Sequence, residues 1–394
     1  MSRFRGFCDG AIVSTLACIG IVLAVGGSLL AREGANRSFK LALGNVFDQQ
    51  WSFDGDRLLH VRGKIVYMHN VATGKPLQQF VGHAEQVHAV TFSPDGKQVL
   101  TGGGRVVAMT GLSTDNSARL WDVTSGKELM RFEGHKAYIH TVEFSPDGKR
   151  ILTAGRDSTA RLWDSDTGQQ LFVFRGITYL PPAATMNSDG RSILGLTEDS
   201  VTVWDAVSGK TVCRLEVPGN GVNFKSAQFS PNGKLIVTAS ADNTVRTWNA
   251  KTGRPLRVFK GHTSYVHRAL FTPNGEQILT ASSDGTTKLW NANTAEEIRQ
   301  FQHPGAVREI ILSGDGKRFF AKWRLDANFT VKNGISLWNA EFGNEILQVA
   351  DGELGHIVGF TPDGTKFLVM KSLNEFVLHS AETGKPLPQL TAAR

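Results

Sequence analysis

The chain has 394 residues, of which 41% are apolar and 20% are charged, and 43 Lys+Arg against 36 Asp+Glu give a formal charge of +7. This composition excludes a disordered tail protein, a collagen-like fibre and a polytopic membrane protein. Cys8 and Cys18 lie in an apolar leader, so Cys213 is the single cysteine of the body. The cysteines therefore build neither a disulfide framework nor a metal cluster.

The leader contains an uncharged apolar run, residues 10–31, behind a short basic segment, residues 1–9, that carries Arg3 and Arg5. As a helix rising 1.5 Å per residue the run reaches about 33 Å, enough for a hydrocarbon core of about 30 Å. The run predicts a transmembrane signal-anchor helix, followed by a juxtamembrane linker over residues 32–44.

A cleaved signal peptide is the alternative interpretation of the leader. Its first residues are basic, and the small residues Gly26, Gly27 and Ser28 resemble a cleavage site. Lys and Arg flank the run on both sides, so the positive-inside rule does not choose an orientation clearly. Because a short basic N-terminus usually stays inside, we expect the body on the extracytoplasmic side, with a cytoplasmic-facing or a secreted body as alternatives.

A turn tetrapeptide recurs through the body. It reads Ser/Thr-Pro-Asp/Asn-Gly where it ends at Gly96, Gly148, Gly233, Gly275 and Gly364, and shorter copies end at Gly55, Gly190 and Gly316. The intervals between these glycines are 41, 52, 42, 43, 42, 41 and 48 residues. Proline fixes φ and glycine tolerates positive φ, so each copy predicts a tight hairpin turn.

Short strands surround each turn. Apolar residues alternate or form short blocks, as in residues 87–92, 98–101, 118–121 and 128–132, which gives four strands per unit. One such sheet cannot bury both of its faces alone. The units over residues 45–394 are therefore predicted to stack side by side around an axis and to close into a ring.

The repeated residues resemble the WD-repeat β-propeller family. Gly82-His83, Gly134-His135 and Gly261-His262 are each followed by a strand, the turn and a terminal Trp-Asp or Trp-Asn pair. The resemblance implies an all-β propeller, and the eight turns predict eight blades of four antiparallel strands. The alternative is seven blades plus an irregular cap.

The resemblance also implies that a histidine, a Ser/Thr, an aspartate and a tryptophan form one buried hydrogen-bonded set within a blade. The sets are His83, Thr101, Asp115 and Trp121; His135, Thr153, Asp157 and Trp163; and His262, Thr280, Asp284 and Trp290. Three near-copies that each end on a tryptophan donor are better explained by buried polar groups than by three catalytic triads. We therefore predict no catalytic residue, no metal ligand and no cofactor.

Family members commonly bind proteins or peptides on the face that carries the Gly-His loops. The resemblance implies that the residue four places before the first-strand Phe points onto that face. This gives Phe47, His88, His140, Pro182, Lys225, His267, Arg308 and His356, with Tyr138 and Tyr265 beside them. The four histidines, Lys225 and Arg308 cannot be anionic, and histidines charge as the pH falls through about 6.5. The pattern predicts a grip on an acidic segment that tightens at low pH.

Two insertions fall between the second and third strands of their units, residues 102–114 and 321–334. They are therefore expected on the same face as the histidines, and insertions confined to one face of a repeat array usually mark its binding surface. Their candidate contact residues are Arg105, Met109, Trp323 and Arg324.

These features together predict a membrane-tethered, monomeric, non-enzymatic scaffold that binds a protein or an acidic peptide. The alternatives are a small-ligand or sensor subunit that uses the central channel, and an exported soluble propeller. Without the leader's four basic and two acidic residues, the charge over residues 38–394 is 39 − 34 = +5. This mildly basic ring has neither an Arg/Lys run nor an aromatic-basic signature, so no nucleic-acid partner is expected.

Overall fold

The computed structural model describes residues 39–41, 49–52, 54–105, 115–177, 184–197, 200–217, 222–327, 330–350, 353–372 and 375–387. The strands over these residues form eight antiparallel sheets. The expected anchor, residues 10–31, lies outside the described residues. Within the described ranges, no helix has the length and apolar character needed to cross a membrane.

Each sheet is one blade of a propeller, and its strands follow one another in chain order from the axis outward. The first blade contains β1 (Phe39–Leu41), β2 (Gln49–Trp51), β3 (Arg57–Arg62), β4 (Ile65–Asn70) and β5 (Pro76–Val81). The second contains β6 (Val87–Phe92), β7 (Gln98–Gly103), β8 (Ala118–Asp122) and β9 (Glu128–Phe132). The third contains β10 (Ile139–Phe144), β11 (Arg150–Gly155), β12 (Thr159–Asp164) and β13 (Gln170–Arg175). The fourth contains β14 (Ala184–Met186), β15 (Ser192–Leu196), β16 (Val201–Asp205) and β17 (Thr211–Leu215).

The second half of the ring repeats this arrangement. The fifth blade contains β18 (Phe224–Phe229), β19 (Leu235–Ser240), β20 (Val245–Asn249) and β21 (Pro255–Phe259). The sixth contains β22 (Val266–Phe271), β23 (Gln277–Ser282), β24 (Thr286–Asn291) and β25 (Glu297–Gln302). The seventh contains β26 (Ala306–Leu312), β27 (Arg318–Ala327), β28 (Thr330–Asn339) and β29 (Glu345–Ala350). The eighth contains β30 (His356–Phe360), β31 (Lys366–Ser372) and β32 (Glu375–Ser380), and Pro386 bridges back to His379 on the outer side.

The turn between the first and second strands of a blade is closed by its own side chains. In the second blade the Ser93 hydroxyl donates to Asp95 Oδ1 at 2.6 Å, and the amide of Lys97 donates to the same oxygen at 3.0 Å. Gly96 takes a φ of 69°, a conformation that favours glycine. The repeated tetrapeptide thus carries every contact that its hairpin needs.

Two faces of the ring are defined by these connections. The Gly-His face carries the second-to-third-strand hairpins and the connections between blades, including Gly82, Gly134 and Gly261. The opposite face, which we call the turn face, carries turns such as Ser93–Gly96 and the connections from third to fourth strands. This division follows from the antiparallel order of the strands.

The innermost strands present sheet edges to the channel, and side chains of one blade occupy edge groups of the next. The amide of Phe92 donates to Gln50 Oε1 at 2.6 Å, and the amide of Met186 donates to Glu143 Oε2 at 3.2 Å. Unsatisfied edge groups would otherwise attract other strands. These bonds also link neighbouring blades in a fixed register.

The ring closes between the eighth and first blades. Trp51 and Leu58 of the first blade belong to one buried apolar cluster with Ile357 and Phe360 of the eighth and Phe320 of the seventh. The prediction of eight blades is therefore confirmed, and the eighth unit is a full member of the ring rather than an irregular cap.

Strand β1 lies on the channel side of β2, where Phe39 pairs with Trp51 and Leu41 with Gln49. Trp51 also pairs with Leu58 across the first hairpin of the blade, so it marks the turn-face end of β2. The backbone therefore enters β1 from the turn face.

Replacing Trp51 by Ala should lower the free energy of unfolding by about 3–5 kcal/mol, because the indole is 0% exposed and its loss leaves a cavity at the closure. Chemical denaturation of the full chain measures the change. Val207→Ala is the control, because Val207 is exposed on the turn face and should shift stability by less than about 0.5 kcal/mol. If the two variants lowered the free energy of unfolding equally, the closure cluster would contribute no more to stability than an exposed side chain does.

Candidate partner-binding face

Four side chains of the third blade form a continuous hydrogen-bonded chain. Trp163 Nε1 donates to Thr153 Oγ1 at 2.9 Å, His135 Nε2 lies 2.8 Å from the same oxygen, and His135 Nδ1 lies 3.0 Å from Asp157. The same contacts, at 2.7 to 3.1 Å, join His83, Thr101, Asp115 and Trp121 in the second blade and His262, Thr280, Asp284 and Trp290 in the sixth.

The direction of each bond follows from the charges. Burial lowers the pKa of His135, which keeps the imidazole neutral. Burial opposes ionisation of Asp157, but the interactions with His135 and the hydrogen bonds from the Lys136 amide and the Thr159 hydroxyl together outweigh it and hold the pKa of Asp157 well below its usual range. His135 Nδ1–H therefore donates to the carboxylate, and the Thr153 hydroxyl donates to Nε2. Thr153 is 0% exposed, so no substrate reaches that hydroxyl and the set is structural.

The remaining blades keep only parts of this set. In the fifth blade Trp248 Nε1 donates to Thr238 Oγ1 at 2.9 Å, and Asp242 pairs with Arg246 at 2.7 Å. In the first blade, two buried imidazoles take the places of the threonine and the tryptophan. These are His60 and His69, with ring centroids 4.9 Å apart.

The seventh blade contains a histidine that the Gly-His pattern misses. His303 is buried, lies 3.0 Å through Nε2 from Thr287 Oγ1 and packs edge-on against Trp338. Glutamine precedes it instead of glycine, so the dipeptide pattern fails. The remaining signal for this histidine in the sequence was its position in the repeat unit that ends at Trp338.

A β-bulge in the first strand presents the candidate contact positions. The pairing register of the first and second strands skips His88, His140, Lys225, His267 and Arg308 in the second, third, fifth, sixth and seventh blades. The residue at a bulge is unpaired and its side chain is re-aimed. The offset of four residues before Phe thus has a backbone cause that the sequence did not reveal.

The eighth blade departs from this offset. Its bulge falls on Val358, while His356 pairs with Met370 in the regular ladder. The side chain of His356 lies outside the described residues, so its contact role stays a prediction.

Histidines of the second and third blades are less accessible than expected. His88 is half-buried, lies 2.9 Å through Nε2 from the carbonyl of Gly104 and packs against Tyr138 with centroids 4.6 Å apart. His140 is only 3% exposed beneath Tyr138, so the expectation of a surface contact at His140 is wrong. The guanidinium carbon of Arg156 lies over the Tyr138 ring, 5.8 Å from its centroid. This part of the face is therefore mainly aromatic.

The insertion of the seventh blade is a hairpin rather than a loop. β27 and β28 pair over ten consecutive residues, from Arg318 with Asn339 to Ala327 with Thr330. Trp323 is buried in this ladder, and its Nε1 donates to Ser336 Oγ at 3.2 Å, so the expected surface contact at Trp323 is wrong. Arg324 pairs with Asp326 at 3.0 Å.

Of the second blade's insertion, Arg105 is described and exposed, whereas Met109 lies outside the described residues. Tyr265, in the connection that leads into β22, is 53% exposed. Arg105 and Tyr265 are therefore accessible to a partner on this face.

Cationic side chains gather on blades five to seven. Lys225, His267 and Arg308 occupy bulges of the inner strands of these blades, and burial, with the positive charges of Arg308 and Lys225, lowers the pKa of His267 to about 4. The pKa of His88 is also lowered by burial. The expectation that these two histidines charge near pH 6.5 is therefore wrong. Within the described ranges, no three His, Cys, Asp or Glu side chains converge on a metal position.

Comparison with known proteins supports this architecture. The model of the WD domain, G-beta repeat family matches residues 74–122, 126–164, 210–249 and 253–291. These four segments match the WD repeat, and they cover the first to sixth blades of the propeller in whole or part.

Two relatives illustrate how far the likeness extends. An uncharacterized WD repeat-containing protein of Synechocystis sp. is 37% identical over 55% of this chain and 60% of its own length. The nuclear distribution protein PAC1 of Arthroderma benhamiae is 27% identical over 47% of this chain and 45% of its own. The chain thus spans about half the length of the curated relatives it matches.

A solved structure shares the fold. The C-terminal WD40 domain of Sif2 superposes with a TM-score of 0.69 over 88% of this chain and 97% of that domain, at 16% identity. At that identity the likeness concerns the fold alone.

Replacing His135 by Ala should lower the free energy of unfolding by about 1–3 kcal/mol, because Asp157 and Thr153 lose their shared partner. Thermal and chemical denaturation measure the change. Tyr265→Ala, an exposed aromatic without a hydrogen-bonded set, serves as the control. An unchanged melting midpoint in the His135 variant would contradict the structural role.

Acid should destabilise the ring between about pH 6.5 and pH 4. His60, His267 and His303 have folded pKa values lowered to about 4, each mainly by burial. The folded state therefore holds fewer protons than the unfolded state in this window, so stability is complete above pH 6.5 and is lost as the pH falls. Melting temperatures recorded from pH 7.5 to 4.5 test this. As the pH falls, the melting temperature of His60→Phe should decrease less steeply than that of the wild type. A wild-type melting temperature that stayed constant or rose toward low pH would refute the lowered pKa values of these histidines.

Proposed function

We propose that this protein is a membrane-tethered, non-enzymatic scaffold that binds protein partners through its Gly-His face. WD40 propeller proteins generally act as protein-interaction scaffolds. The proposed tether is the apolar run of residues 10–31, and we propose the extracytoplasmic side for the ring because a short basic N-terminus usually stays inside.

The observation that carries the proposal is the concentration of irregular features on one face. The bulged positions, the extended hairpin of β27 and β28 and the exposed Tyr265 all belong to the Gly-His face. The turn face is instead built of turns whose hydroxyl, carboxylate and amide groups bond to one another. A partner finds varied chemistry on the first face and repeated, self-satisfied turns on the second.

The chain direction at β1 supports free access to that face. The backbone enters β1 from the turn face, and seven residues, 32–38, separate it from the apolar run. Seven residues span at most about 25 Å. A membrane anchor at residues 10–31 would therefore hold the turn face near the bilayer and direct the Gly-His face away from it.

The channel is a less suitable binding site, because polar side chains of its wall already form hydrogen bonds between neighbouring blades. Gln50 and Glu143 accept amide protons from the next blade, as does Gln228 from Phe271 at 3.3 Å. A ligand that competed for these groups would loosen the contacts between blades.

Charged substitutions on the Gly-His face should abolish partner capture. Tyr265→Asp with Val331→Asp alters side chains that are 53% and 51% exposed on that face. The control pair Val207→Asp with Phe342→Asp alters side chains that are 68% and 70% exposed on the turn face. In proximity labelling of intact cells, the labelling of specific partners should fall about ten-fold or more for the first pair. A carboxylate introduced into an interface must lose its water, and that desolvation costs free energy. The control pair should match the wild type.

Equal losses for both pairs, or none for the Gly-His pair, would refute the proposed face. The tether is checked on the same cells by carbonate extraction. The chain should stay in the membrane pellet, and its release into the supernatant would refute the tether without affecting the comparison of the two faces.

A further inference from the structure

Three consecutive inner strands, β18, β22 and β26, present their bulged residues side by side on the Gly-His face. These residues are Lys225, His267 and Arg308, and we call this area the basic quadrant. The amide of Ala269 donates to Ser226 Oγ at 3.2 Å, which fixes the register between β18 and β22. Lys225 is half-buried and Arg308 is exposed.

Further charges lie directly beneath the rim. Arg268 follows His267 in β22, and Glu309 follows Arg308 in β26. Glu309 is buried and interacts with Arg268 and with Lys322 of β27. The groups that act on His267 and on Glu309 therefore include four cations, Lys225, Arg268, Arg308 and Lys322.

The imidazole of His267 stands between the two rim cations as a neutral group. Its Nε2 lies 2.6 Å from Ser283 Oγ, which orients the ring. Burial and the cations Arg308, Lys225 and Arg268 account for its lowered pKa, of about 4. The positive field acting on the ring is thus permanent at neutral pH rather than switched on by acid.

The rest of the mouth has a different character. His88 and Tyr138 pack against each other at a tilt on the opposite blades, and His140 is buried below them. Arg156 lies over the Tyr138 ring there. Among the bulged residues, the two permanent cations, Lys225 and Arg308, are therefore on the same side of the mouth, where they attract anions.

The hairpin of the seventh blade bounds the basic quadrant on one side. Ala306 of β26 pairs with Arg324, and Gly334 pairs with Ala350 of β29, so neither neighbour strand continues further. Three residue pairs, from Leu325 with Lys332 to Ala327 with Thr330, extend beyond both neighbours. At about 3.3 Å per residue this arm rises roughly 10 Å above the blade.

We infer that the basic quadrant is a carboxylate-binding subsite that receives an acidic segment of a protein partner, with the arm of the seventh blade as its wall. This inference rests on the proposed function of the Gly-His face. An acidic occupant follows from charge, because two rim cations beside the arm, with further positive charge below them, attract and orient carboxylates. Arginine also matches carboxylate geometry through paired N–H donors.

The test is a titration of the full chain in detergent with a fluorescein-labelled twelve-residue peptide rich in Glu and Asp, followed by anisotropy. A peptide with Gln and Asn at the same positions is the uncharged probe. The variant Lys225→Glu with Arg308→Glu should bind the acidic peptide at least ten-fold more weakly. The matched variant Lys97→Glu with Lys149→Glu makes the same change in net charge at exposed lysines of the turn face and should bind within two-fold of the wild type.

Affinity for the acidic peptide should stay constant between pH 8 and pH 6, because the pKa of His267 is lowered to about 4 and its imidazole stays neutral over that range. Equal loss in both charge-reversal variants, equal binding of the acidic and uncharged peptides, or no saturable binding would overturn the subsite. A phosphoserine peptide that binds while the Glu/Asp peptide does not would also overturn it in favour of a phosphate site.

The outcomes separate this inference from the proposed function. If Tyr265→Asp with Val331→Asp loses partners in cells while the reversal of Lys225 and Arg308 does not, the Gly-His face binds its partners without the basic quadrant. If neither variant loses partners, the proposed face itself fails.

Discussion

The structure depends on one constraint: a blade of three to five short strands cannot bury both of its faces, so each must be covered by a neighbour and the series must close. The closure is apolar, with Trp51 and Leu58 packed against Ile357, Phe360 and Phe320. It explains why most turns recur at 41 to 43 residues, since a unit must fill one fixed sector of the ring. It also explains why extra residues are confined to hairpins at the Gly-His face, where they leave the packing between blades unchanged.

Closure leaves the inner edges of eight sheets around the channel, and these edges organise both the ring and its binding face. Gln50, Glu143 and Gln228 satisfy amides of the following blade and hold the inner strands in register. In the second, third, fifth, sixth and seventh blades, a bulge near the start of this strand leaves one residue unpaired at the Gly-His end. The first strand therefore has two roles. Its regularly paired part holds neighbouring blades together, and the type of its bulged residue can differ from blade to blade.

The sequence predicts what is local and repeats. The turn tetrapeptides, the eight units and the Trp-Thr-His-Asp sets all depend on residues within one blade, and the structure brings each of these groups together. Features that depend on the connections and on neighbouring blades were not predictable. His140 is covered by Tyr138 of the connection before it, and the pKa of His267 is set by burial and by cations from adjacent blades. Trp323 was mistaken for a loop residue because a strand that outgrows its blade has no signature in a period of four short strands.

The seventh blade shows how an array of structural repeats acquires a distinctive surface. Ala321 occupies the place where the complete blades have a threonine, so Trp338 has lost the usual acceptor for its indole N–H. A second tryptophan, Trp323, bonds Ser336 instead and packs over Gly334, where the absence of a side chain leaves room for the ring. The polar anchor of the blade has thus moved toward the Gly-His face, into the base of the extended hairpin. Because that base is buried and hydrogen-bonded, the arm beside Arg308 is a continuation of the sheet and offers a partner a preorganised wall, which lowers the entropy lost on binding.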